Sequence, residues 1–156
     1  MASFQLSNTD TRLVYLSLQY HLARPGSELD VMTKQPGARG LAEVARALEP
    51  QLERAVATVE LTDQQRQRVI SAIAGAINEL KSSPLLAGGG RSMVPAFQET
   101  LRRLFPEAAD DPDEATQLAG HLLALRRRLE QIAPAPAGNG ETPAANRRWW
   151  RFWERR

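Results

Sequence analysis

The stretch from Asp111 to Ile132 constrains the fold more than any other. Asp111-Pro112-Asp113-Glu114 is a complete helix start: a capping carboxylate, a proline whose missing N–H costs nothing in the first turn, and two acids on the positive end of the dipole. Ala115, Leu118, Leu122, Leu125, Leu129 and Ile132 follow at steps of 3, 4, 3, 4 and 3, a heptad seam over three repeats. Arg126, Arg127 and Arg128 fall near its end, where cations suit the dipole. A seam this regular needs a matching apolar surface. Either it is a strut of a helical bundle or it pairs with a second copy, giving a homodimer through the 112–132 helix; the bundle is the favoured reading.

The rest of the chain repeats the helical period. Residues 8–23 present Leu13, Leu16 and Tyr20 beside Val14, Leu18 and Leu22, a stripe wide enough for a buried helix, with Asn8 or Thr9 as its cap. Leu41, Val44, Leu48, Leu52, Val56 and Val59 keep helical spacing over 41–60. Pro50 predicts a kink there, or a division into 41–48 and 50–60. Thr62-Asp63-Gln64-Gln65 fits a capping box. The helix it opens has a seam of Arg66, Ile70, Ile73, Ile77 and Leu80, and Ser82-Ser83-Pro84 is expected to stop it. Ala74-Gly75-Ala76 is small enough to admit a close helix neighbour. A further helix, capped by Ser92 with Pro95 in its first turn, points Val94, Phe97, Leu101, Leu104 and Phe105 inward. No alternating stretch stands out, so little or no sheet is expected. The fold class is all-α: a bundle of about five helices over residues 1–132, with a flexible linker and a short C-terminal amphipathic helix.

The linker is residues 133–146, rich in Pro, Gly and Ala and without apolar periodicity. Its fourteen residues reach at most about 45–50 Å. It leads to Arg147-Arg148-Trp149-Trp150-Arg151-Phe152-Trp153-Glu154-Arg155-Arg156, which holds all three tryptophans of the protein. On a helix, Trp149, Trp150, Phe152 and Trp153 share an arc of roughly 160°, and Arg147, Arg148, Arg151, Glu154 and Arg155 take the other side, with Arg156 free to snorkel. This is the pattern of a segment that lies in a membrane interface, indoles at headgroup level and arginines on anionic lipid. Ten residues do not hold a helix alone in water, so it folds on binding. The same residues also suit a hydrophobic groove on a larger protein assembly, stacking on single-stranded nucleic acid, or an apolar patch of the chain's own body. A segment meant only for its own body has no need of so long a tether, which favours an external target.

Charge points the same way. Five arginines against Glu154 give the last ten residues +4, which leaves −2 for residues 1–146 out of a total of +2. A mildly acidic body is not the footprint of a nucleic-acid-binding domain. Of the twenty basic residues only Lys34 and Lys81 are lysines, a bias that with abundant Ala and Pro suggests a GC-rich bacterial genome. The chain has no cysteine, which excludes disulfides and thiolate chemistry and suits a reducing cytoplasm. Met1 to Asn8 shows no basic and then apolar leader, and the longest nearly apolar run, Val69 to Ile77, is too short to span a bilayer.

No enzyme signature emerges. His21 and His121 lack ligand-spaced partners, and Asp110, Asp111, Asp113 and Glu114 are accounted for by helix capping. The Gly88-Gly89-Gly90 loop lacks the lysine and preceding strand of a phosphate loop. The 24–40 and 84–91 loops are the places where a ligand site would lie if there were one. No cofactor, metal or catalytic residue is expected. The functional expectation is a non-enzymatic interaction or adaptor protein, cytoplasmic and held at the inner face of the membrane. Its binding residues are Arg147, Arg148, Trp149, Trp150, Arg151, Phe152, Trp153, Arg155 and Arg156. The alternative is a soluble module whose tail is a docking peptide for a protein groove.

Overall fold

The computed structural model describes residues 2–24, 39–86 and 94–132. The order of elements is β1 (Ala2–Ser7), α1 (Asn8–Leu22), α2 (Arg39–Leu48), a 3-10 turn (Glu49–Gln51), β2 (Val56–Leu61), α3 (Asp63–Leu86), α4 (Pro95–Leu104), α5 (Pro106–Asp110) and α6 (Pro112–Gln131). The fold is an all-α bundle with one small addition, an antiparallel two-stranded sheet. The linker at 133–146 and the segment 147–156 lie outside the described residues, as do most of the 24–40 and 84–91 loops.

Helix α1 is covered on nearly all sides. Every residue from Leu13 to Leu18 is buried, and α2, α3 and α4 all pack against it. The hydroxyls of its buried residues stay satisfied: Thr11 donates to the Ser7 carbonyl and Ser17 to that of Leu13, both at 2.8 Å, and Tyr15 to the Glu49 carboxylate at 3.3 Å. Helix α3 is the second central element and touches α1, α2, β2 and α6. Asp10 at the start of α1 pairs with Arg128 of α6, and Arg66 at the start of α3 bonds the end of the same helix. Helix α6 therefore runs back along α3, and its last two turns reach the first turns of both α1 and α3. The heptad seam is buried in this packing: Ala115, Leu118, Leu122, Leu125 and Leu129 are all within the core, and only Ile132 is exposed. A dimer through the 112–132 helix would have to use its outward face.

Several local expectations hold in atomic detail. The Thr62 capping box forms as written, with Gln65 N–H donating to the Thr62 hydroxyl at 3.1 Å and Thr62 N–H to the Gln65 carboxamide at 2.9 Å. Asp111 caps α6 through Asp113 N–H at 2.8 Å. Phe97, Leu101 and Leu104 are buried and Phe105 is partly so, at the break that Pro106 imposes between α4 and α5. The cap proposed at Ser92 lies outside the described residues; α4 begins at Pro95, after Val94.

Other expectations are corrected. Residues 50–60 are not a second helix. Pro50 closes α2 into the 3-10 turn, and Val56–Leu61 is a strand; with Ala2–Ser7 it makes up the little sheet there is, twelve residues in all. Ala57, Val59 and Leu61 alternate inward while Val56, Thr58 and Glu60 face out, opposite an alternation of Phe4 and Leu6 with Ser3, Gln5 and Ser7. The cap of α1 is Ser7, which accepts from Asp10 N–H at 3.2 Å. Asn8 instead donates its amide to the carbonyls of Leu52 and Arg54, pinning the loop before β2. Helix α3 runs through Pro84 to Leu86, because a proline in the last turn forfeits a single hydrogen bond.

The close approach expected at Gly75 is with Tyr20 of α1. A Cβ added at Gly75 would lie 2.4 Å from Tyr20 Cε1, and the ring is backed edge-on by Phe97 at 5.6 Å. Gly120, by contrast, has nothing within 4 Å of an added Cβ. Two alanine substitutions should therefore move stability in opposite directions. Gly120→Ala should raise it by about 0.5–1 kcal/mol through helix propensity. Gly75→Ala should lower it by about 1 kcal/mol, overpacking exceeding the same propensity gain, and should become neutral or stabilising in a Tyr20→Leu background. Urea denaturation of the four variants checks this.

Candidate functional site

The residues expected to bind, Arg147, Arg148, Trp149, Trp150, Arg151, Phe152, Trp153, Arg155 and Arg156, fall outside the described residues. What the structure does describe is the point from which that segment departs, and this root is built with unusual care. It rests on Arg66, one residue after the capping box of α3. In the sequence Arg66 was the lone cation on an otherwise apolar seam, and that was the signal: a charge in line with Ile70, Ile73, Ile77 and Leu80 must be buried with its partners.

The Arg66 side chain is 6% exposed. Its Nη1 donates to the carbonyl of Leu129 at 3.0 Å and also to that of Ile132. These are among the last carbonyls of α6, which have no partner inside the helix and carry the negative end of its dipole. One guanidinium thus satisfies two orphan acceptors and places a positive charge where the dipole favours it. Asp63, in the first turn of α3, stands 3.6 Å from Nη2 and shares the load of neutralising the buried charge. Among the buried side-chain nitrogens and oxygens of the described residues, Arg66 Nε alone has no hydrogen-bond partner.

A second tie fixes the same end from the other side. Arg128 Nη2 donates to Asp10 Oδ1 at 2.6 Å, joining α6 to the first turn of α1. The Arg126–Glu130 pair at 2.7 Å lies along α6 at a spacing of four. Ala2 is paired with Leu61, which is followed directly by the Thr62 cap. The open end of β1, the start of α3 and the end of α6 therefore share one pole of the bundle. Ile132, the last described residue, lies at this pole and is 37% exposed.

Elsewhere the chemistry is sparse. Among the described residues no group of three or more His, Asp and Glu side chains could hold a metal ion. His121 is exposed on α6, and Asp111 caps that helix while Asp113 and Glu114 remain on its surface. Among the described residues no helix is long and apolar enough to cross a membrane. The large apolar side chains left exposed there are Val56, Leu123 and Ile132, which lie on separate elements or turns and form no patch by sequence. No protein family, curated protein or solved structure matches the chain.

Arg66→Leu should cost about 2–4 kcal/mol, since a buried carbonyl at Leu129 and a part-buried one at Ile132 lose their donor. It should also raise amide exchange at residues 126–132 more than in α4, because the C-terminal turn of α6 loses its anchor. Arg128→Ala, whose side chain is 59% exposed, should cost less than about 1 kcal/mol. Hydrogen exchange with chemical denaturation separates the two.

Proposed function

We propose that this chain is a non-enzymatic helical interaction or adaptor protein, attached peripherally to an anionic membrane surface by residues 147–156. The observation that carries the proposal is the division of that segment into an aromatic arc, Trp149, Trp150, Phe152 and Trp153, and a cationic arc of arginines. Its +4 charge gives about 4 kcal/mol of attraction to an anionic surface, before any ring insertion. Attachment of that strength is reversible. The scarcity of exposed large apolar side chains on the described body supports a target outside the molecule. The clamp at Arg66 supports it too: a tethered binding segment transmits position only if the end it hangs from is fixed, and here that end is held by α3. On this reading the body is a rigid platform for a cytoplasmic partner, presented at the inner face of the membrane.

Flotation with vesicles tests this. The full chain should float with vesicles containing phosphatidylserine and not with purely zwitterionic ones, and added salt should release it. Trp149→Ala with Trp153→Ala should weaken flotation about tenfold or more, with thermal stability unchanged. Equal flotation with neutral vesicles, or full flotation of a chain ending at residue 146, would overturn the proposal. Failure to float, with capture of a protein partner by a 142–156 peptide, would transfer the function to the docking-peptide reading.

A further inference from the structure

The two outer edges of the sheet are treated differently. On β2, Thr58 N–H donates to Gln51 Oε1 at 3.2 Å, and Gln51 Nε2 donates to the Thr58 carbonyl at 3.3 Å. The Gln51 carboxamide thus takes the place of a neighbouring peptide group, and α2 packs beside it. This also fixes the phase of the ladder. Since Thr58 points both its groups away from β1, Thr58 and Gln5 are a non-hydrogen-bonded pair, and Gln5 must point its own N–H and carbonyl outward as well. Ser3, opposite Glu60, does the same. The bond from Asn8 N–H to the Ala55 carbonyl at 3.0 Å, one step beyond the sheet in the same register, agrees with this phase.

No described residue covers these groups on β1. Ser3 and Gln5 are exposed, and the strand Ala-Ser-Phe-Gln-Leu-Ser carries no charge and no proline. Lysines, prolines or covering loops normally guard such an edge. The open span is also bounded. At Ser7 the carbonyl already accepts from Thr11 and the hydroxyl is held by Asp10, so the free edge is the short run Ser3–Gln5, centred on Phe4.

We infer that β1 pairs antiparallel with β1 of a second copy about a two-fold axis at Phe4, making a continuous four-stranded sheet. In that register Ser3 of each copy faces Gln5 of the other. Each residue donates one N–H and accepts at one carbonyl, so four hydrogen bonds form and no outward group of the span is left over. A second copy brings an edge of the same short length and the same phase, so the outward groups of one strand are matched one for one by those of the other. The side chains brought together, Ser3 and Gln5, are neutral, so the acidic body meets itself without charge repulsion at the seam. The contact is small, so the dimer is a weak one. The end of α6 lies at the sheet-bearing pole, so pairing gathers two copies of the C-terminal segment at one place, where they act together on a surface.

Sedimentation equilibrium on the full chain tests the pairing independently of any membrane. The wild-type chain should be a monomer at micromolar concentration and shift toward dimer as concentration rises to hundreds of micromolar. Gln5→Pro removes an outward N–H and no bond of the internal ladder, so it should weaken dimerisation about tenfold or more while circular dichroism shows the same fold. Ser3→Lys with Gln5→Lys should abolish dimerisation, whereas Ser3→Lys with Gln5→Glu should retain it, because the facing pair becomes opposite in sign. A wild-type chain that stays monomeric throughout overturns the inference. So does a dimer indifferent to Gln5→Pro, or one that treats the two charge pairs alike. Vesicle binding by a chain that does not dimerise would leave the membrane proposal standing and remove only this one.

Discussion

The pairing of residues 2–7 with residues 56–61 is the constraint on which the remaining structure depends. Each strand runs into a central helix, β1 into α1 directly and β2 into α3 after the single residue Thr62. The twelve paired residues therefore decide where the two buried helices start. Setting out from opposite ends of the sheet, α1 and α3 meet at Tyr20 and Gly75, three turns into each, where the missing side chain of the glycine admits the ring. The other helices fill the faces left over. Helix α2 covers α1 and β2, α4 closes over α1 with Phe97 against Tyr20, and α6 lays its apolar seam on α3.

The sheet was also the part of the fold least legible in the sequence, and the reason is physical. Val56 and Val59 continue the helical spacing of Leu48 and Leu52, while Thr58-Val59-Glu60-Leu61 fits an alternating strand equally well. Local pattern does not separate the two. The choice is made by Phe4 and Leu6, more than fifty residues earlier, which supply the pairing partner. Ser3-Phe4-Gln5-Leu6-Ser7 is itself a clean alternation, but so short that it reads as an irregular leader. Local chemistry, by contrast, was legible wherever it is self-contained: the Thr62–Gln65 box, the Asp111 cap, the break at Pro50 and the small residues around Gly75 all appear where the sequence puts them. The exchange of Ser7 for Asn8 as the cap of α1 follows from the same long-range tie, since Asn8 is drawn to the Leu52 and Arg54 carbonyls.

The candidate site divides along the same line. The segment proposed to bind, 147–156, is plain in composition and lies outside the described residues. The end of α6 is held by a single residue, Arg66, which the apolar seam of α3 includes without naming its partner, and which is a buried donor for the end of another helix. A pattern search scores a residue against its own helix, and the partners of Arg66 lie more than sixty positions away.

That clamp has a corollary for the order of the chain. Arg66 holds the carbonyl of Ile132, and four residues before Arg66, Thr62 follows the partner of Ala2, so the first strand and the last helix terminate as near neighbours. Splicing α6 onto β1 through a short bridge, with new ends cut between α1 and α2, would preserve the contacts that organise the bundle. Its architecture is in effect a ring of elements, in which the seam between first and last is one more connection among equals.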